Sequence, residues 1–107
     1  MAPDPEGIPA DLLRTAAGRL EALAARTTSG DWRLTGLLAS RPEVVAGRPD
    51  GSTEHVAEAR AASGAWIAAL SPAVAAPLAA ALRAAADEPG PPSGLVDLAR
   101  VLLARLP

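Results

Sequence analysis

The stretch Ala61–Ala86, AASGAWIAALSPAVAAPLAAALRAAA, decides how the rest of the chain can fold. It holds the longest apolar run and one of the two tryptophans, Trp66. Ser71-Pro72 in its middle has the form of an N-cap followed by a first-turn proline, ending one helix and starting another. Ala62, Trp66, Ala69 and Leu70, with Ile67 beside them, repeat at helical spacing. So do Val74, Leu78, Ala81, Leu82 and Ala85 beyond the break. Pro77 would lack the bond to the Ala73 carbonyl and crowd it, so a bend or a separate first turn is expected there.

Upstream of this helix pair the pattern changes twice. Residues 1–7 are acidic and Pro-rich and are expected to form a flexible tail. Pro9 then suits a first helical turn, and Ile8, Leu12, Ala16, Leu20 and Leu23 form one stripe, which predicts a helix over about 9–26. Between Asp31 and Glu58 the apolar residues come in short groups separated by Gly36, Pro42, Gly47, Pro49 and Asp50-Gly51. This spacing predicts strands near 32–39, 43–48 and 53–58, with a hairpin turn at Asp50-Gly51, where positive φ is tolerated. Downstream, DEPGPPSG (87–94) is a stiff connector. Leu95, Leu98, Leu102 and Leu106, with Val101 alongside, then predict a last helix started by Ser93 or Gly94. The expected fold is a single α+β domain over 8–107: N-terminal helix, three-stranded antiparallel sheet, helix pair and C-terminal helix.

Composition narrows the function. The chain has 107 residues, enough for one core. Half its residues are hydrophobic, and alanine supplies about a quarter, with no Phe, Tyr or Cys. All ten basic residues are arginine, spread along a chain of net charge −2. Nucleic-acid binding is therefore not expected, since it calls for a basic face. No thiol set for zinc or iron–sulfur exists. MAPDPEGIPADLL has no basic start followed by an apolar segment, so no secretion signal is expected. The apolar run carries two prolines and few large side chains, so no membrane span is expected and the protein is placed in the cytoplasm.

With so few large side chains, each tryptophan is expected to matter. A buried indole removes roughly 150–250 Å² from water, or about 4–6 kcal/mol gross. Trp66 is accordingly expected in the core, where its loss would threaten the fold. The last helix is the expected donor to a homodimer interface.

Catalytic signals are sparse. If 53–58 is a regular strand, Glu54, Val56 and Glu58 share one face and His55 points the other way. That leaves no ligand cluster, so neither a metal nor a cofactor is expected. The serines sit in turns and caps, and nothing around them has the form of a nucleophile elbow. No enzyme is expected. A binding role has two candidate locations. Trp32 is expected to pack on the helix of Trp66 with the arginines solvated; in the alternative, functional reading Trp32, Arg41 and His55 line a mouth between the sheet edge and the helices, suited to a planar anion such as a nucleotide. Arg100 and Arg105, on the last helix, would form a face for a protein partner.

Two short motifs carry a resemblance. Thr27-Thr28-Ser29-Gly30-Asp31-Trp32 follows the first helix, and Ala65-Trp66-Ile67-Ala68-x-Leu70-Ser71-Pro72-x-Val74-x-x-Pro77-Leu78 follows the strands. Together they resemble the small ead-type accessory proteins of lambdoid phages and their relatives in prophage-bearing actinobacteria, over about residues 10–86. Ser29 and Asp31 stand where that pattern has prolines, and Ser71 where it has asparagine. The resemblance implies a phage or prophage accessory role and brings no catalytic residues. The function expected is a non-enzymatic protein acting by protein–protein contact, with small-ligand binding as the alternative.

Overall fold

A computed structural model of the chain describes residues 7–36 and 41–107. Its elements are α1 (Gly7–Ala24), β1 (Asp31–Thr35), β2 (Glu43–Gly47), β3 (Thr53–Glu58), α2 (Ala61–Ala69), a 3₁₀ turn (Pro72–Val74), α3 (Ala75–Ala86) and α4 (Ser93–Arg105). The α+β class and the element order match the sequence expectation. The expected tail over 1–7 lies almost wholly outside the described residues, as do positions 37–39 of the first expected strand.

By internal contacts the chain forms two compact units. One is Thr27–Val74; the other joins the N-terminal segment up to Arg26 with Ala75–Pro107.

The helical unit consists of α1, α3 and α4. Its core is Leu13, Ala16, Ala17, Ala79, Leu82, Ala85, Ala86, Val96 and Ala99, all buried. Six of these nine are alanine, so the helices meet at close range over small side chains. The expected α1 stripe is turned by about one residue. Leu13 and Ala17 are buried, whereas Leu12 and Leu20 are half-buried and Ile8 is exposed. On α4 the same shift places Val96 and Ala99 inside, with Leu95, Leu98 and Leu102 at the margin. Between α1 and α3, Arg14 donates to Asp87 Oδ1 at 3.0 Å and to the Ala86 carbonyl at 3.4 Å. The guanidinium thus meets a carbonyl at the α3 C-terminus, where a cation suits the helix dipole. Arg83 pairs with Glu21 one turn earlier on α3.

The second unit is an antiparallel sheet, in order β1-β2-β3, with α2 packed against β1 and β2. β1 and β2 pair Trp32 with Ala46, Arg33 with Val45 and Leu34 with Val44. β2 and β3 pair Val45 with His55 and Glu43 with Glu58, and the register shifts between Val44 and Val45. That shift is a β-bulge at Val56, and it changes which residues of β3 share a face. The hairpin at Asp50-Gly51 is present as a three-residue loop. The Gly51 N–H donates to the Arg48 carbonyl, the Arg48 N–H donates to the Ser52 carbonyl, and Gly51 has φ 86°. Asp50 Oδ1 accepts from the Ser52 N–H at 2.8 Å and from its hydroxyl at 2.6 Å. Those two bonds, the hydroxyl's first, hold the Asp50 carboxyl below its ordinary pKa.

Ser71-Pro72 does break the apolar run. Ser71 is buried, and its carbonyl accepts the Val74 N–H at 2.9 Å, closing the 3₁₀ turn. Pro77 lies in the first turn of α3, where a helix has no intrahelical use for the N–H. The separate first turn expected from the sequence thus accommodates it. Ala61–Ala86 contains an 18-residue window of mean hydropathy 1.7, apolar enough by composition to cross a bilayer, and 22% of that window is buried. The interruption divides the stretch into helices of 9 and 12 residues, each shorter than the roughly 20 a crossing requires.

Candidate functional site

The sheet presents two unlike faces. Toward α2 point Trp32, Leu34, Val44 and Ala46, the last two fully buried. The opposite face carries Asp31, Arg33, Thr35, Glu43, Val45 and, from β3, His55 and Glu58. The trio expected to form one mouth is therefore divided. Trp32 faces α2, half-buried, and its indole Nε1 donates to the Thr28 carbonyl at 2.9 Å. It closes the turn that leads into β1. His55 and Arg41 belong to the other side, where His55 Nδ1 meets Glu43 Oε2 at 2.6 Å and Arg41 meets Glu58 Oε2 at 3.6 Å. No planar anion can stack on Trp32 and also reach His55 from the same side.

The bulge also overturns the expected pattern of β3. Because Val56 is the extra residue, Glu58 returns to the face of His55, and Glu54 lies on the other. Even so, among the described residues no three His, Asp or Glu side chains converge as metal ligands would.

At the other end of the face away from α2 is an open hollow of about 610 Å³. Its floor is Val45 and Gly47, and Arg33, Thr35, Arg48 and Thr53 stand around it. Arg33 Nε is bound to Asp31 Oδ2 at 2.6 Å and Arg48 to Glu54, so both guanidiniums already have carboxylate partners.

The largest departure from expectation is α2. Trp66 is 70% exposed and Leu70 56% exposed, so Trp66 is not a core residue. The buried position is Gly64, which faces Leu34 of β1. Two residues along a helix correspond to about 200°, so Trp66 lies on the far side from Gly64. Ala62, Ser63, Trp66 and Ile67 line a surface hollow of about 400 Å³. No charged residue occurs between Ala61 and Ser71.

On α4, Arg100 and Arg105 are exposed, and Arg100 pairs with Asp97 at 3.3 Å, one turn earlier on the same helix. Val101 beside them is 57% exposed. No protein-family model, curated protein or solved structure matches the chain.

Proposed function

We propose that the protein is a non-enzymatic interaction protein that binds a protein surface through the outward face of α2. It would be of the phage or mobile-element accessory kind that its two motifs resemble. What supports this is Trp66. An indole left 70% exposed beside Leu70, on a helix without charge, keeps a large apolar area in water. Contiguous apolar exposure of this kind marks contact surfaces, and tryptophan is the residue type most enriched among those that carry binding energy. α2 takes the role that the sequence alone assigns to Arg100 and Arg105.

The test is a photo-cross-linking side chain at position 66, compared with one at Val101, in cells producing the full chain. Protein adducts at 66 are expected; an adduct pattern at 66 no different from that at 101 would overturn the reading.

A second reading, uptake of a small anionic ligand, is supported by the hollow between Arg33 and Arg48. An anion there would compete for Arg33 with Asp31, which also lines the hollow, so binding should weaken steeply with salt. Titration calorimetry with inorganic phosphate, on the native chain and on Arg48→Ala, decides it.

A further inference from the structure

We infer that the occupant of the α2 face is a second copy of this chain, the two α2 helices packing antiparallel about a two-fold axis. The inference rests on the interaction reading above and names the partner of that same surface.

A two-fold interface brings one patch against itself, so every feature must find its complement on the same patch. The α2 face meets that requirement in three ways. Its knob and its hole are one helical turn apart. Trp66 projects, and Ala62 and Ser63, four and three residues earlier, line the hollow beside it. An axis passing between them exchanges the two, seating each indole over the small side chains of the other copy.

The face also carries no charge from Ala61 to Ser71, so no like charges meet at the axis. The same neutrality gives no electrostatic means of selecting a foreign partner. Finally, the nearest charge is complementary. Arg60 is exposed and immediately precedes α2. In an antiparallel pair it falls beside the C-terminal carbonyls of the partner helix, where a cation is favourable.

The area sets the strength. A helix of nine residues is about 14 Å long, and with Trp66 and Leu70 its face offers a few hundred Å² per copy. A stable dimer buries about 800 Å² per partner. The association is therefore weak and reversible, filling over a range of about 10 µM to 1 mM.

Sedimentation velocity on the full chain across that range tests it. The weight-average mass should rise toward twice the monomer for the native chain and for Val101→Ser. It should stay monomeric for Trp66→Ser, whose circular dichroism and melting remain native. A chain that stays monomeric at 1 mM, or a Trp66→Ser variant that dimerises like the native chain, overturns the inference. So does a blue shift of Trp66 fluorescence on neutral phosphatidylcholine vesicles from a chain monomeric in solution. Cross-links from position 66 that go only to other proteins overturn the second copy while leaving the interaction reading in place. If position 66 gives no specific adduct of any kind, both fall.

Discussion

Gly64 of α2 lies so close to Leu34 of β1 that a side-chain carbon at position 64 would stand 2.6 Å from Leu34 Cδ1. A glycine inside a helix costs about 1 kcal/mol relative to alanine, so the contact must be worth keeping. It lets α2 settle onto the sheet and, by fixing the helix rotation, turns Trp66 outward. In the native background Gly64→Ala sets about 1 kcal/mol of helix propensity against an overpacking cost of about 1–3 kcal/mol. With Leu34→Ala the clash disappears, and the same change should stabilise by about 1 kcal/mol. Urea unfolding of the four proteins gives the coupling. Equal effects of Gly64→Ala in both backgrounds would show that the contact does not position the helix.

How far the sequence could lead is clearest on α2 and β3. The strands, the Asp50-Gly51 turn and the start of the last helix were legible because glycine, proline and aspartate mark chain reversals through local backbone chemistry. The rotation of α2 was not, because periodicity assigns the largest apolar side chain inward. On a helix made almost wholly of Ala, Ser and Gly, close approach decides instead, and Gly64 permits the closest approach. The faces of β3 were misread for a different reason. A single bulged residue, Val56, reverses the alternation beyond it, and bulges depend on the neighbouring strand. Trp32 was legible as important, and its Nε1 bond to the Thr28 carbonyl ties it to the preceding turn.

Replacing Trp66 should barely change the stability of the monomer. Trp66→Ser is expected within about 0.5 kcal/mol of the native chain at micromolar concentration, as for other surface positions. Leu82→Ala removes a fully buried side chain from the helical core and should cost about 2–5 kcal/mol. Urea denaturation of the two variants separates them. A loss of several kcal/mol from Trp66→Ser would return that residue to the core.

Trp32→Phe keeps most of the ring's apolar area and removes only the indole donor. The Thr28 carbonyl then loses its partner in a half-buried turn. A cost of about 0.5–1.5 kcal/mol is expected, together with faster amide exchange over residues 28–32. Unchanged exchange there would mean that the bond does not hold the turn.

Two glycines with positive φ should respond differently to alanine. At Gly51, φ is 86° and the space around it is open, so Gly51→Ala should cost about 1–2 kcal/mol through backbone strain alone. At Gly30, φ is 119° and an added carbon would stand 2.8 Å from the Gly47 carbonyl oxygen. Backbone cannot turn aside as a side chain can, so Gly30→Ala should cost more and should loosen the pairing of β1 with β2. Thermal melts of the two variants give the order; equal losses would place no special demand on Gly30.

Acid should weaken the helical unit through Glu21. Its hydrogen bond to the Arg83 guanidinium holds the carboxyl below its ordinary value and raises Arg83 in turn. The unfolded chain therefore takes up the proton more readily than the folded one. The stabilisation is fully present above the ordinary carboxylate pKa of about 4.3 and is lost as pH falls through the lower folded value. Asp50, bonded to Ser52, adds a loss of the same sign in the sheet unit. Melting temperature should thus be steady between about pH 7 and 5 and fall below about pH 4. Glu21→Gln and Arg83→Gln should each lessen that fall, and by the same amount, because either change removes the same pair. On the alkaline side the raised Arg83 keeps its proton, so no matching loss should occur up to about pH 10. An acid limb as steep in Glu21→Gln as in the native chain would assign the effect to other carboxylates.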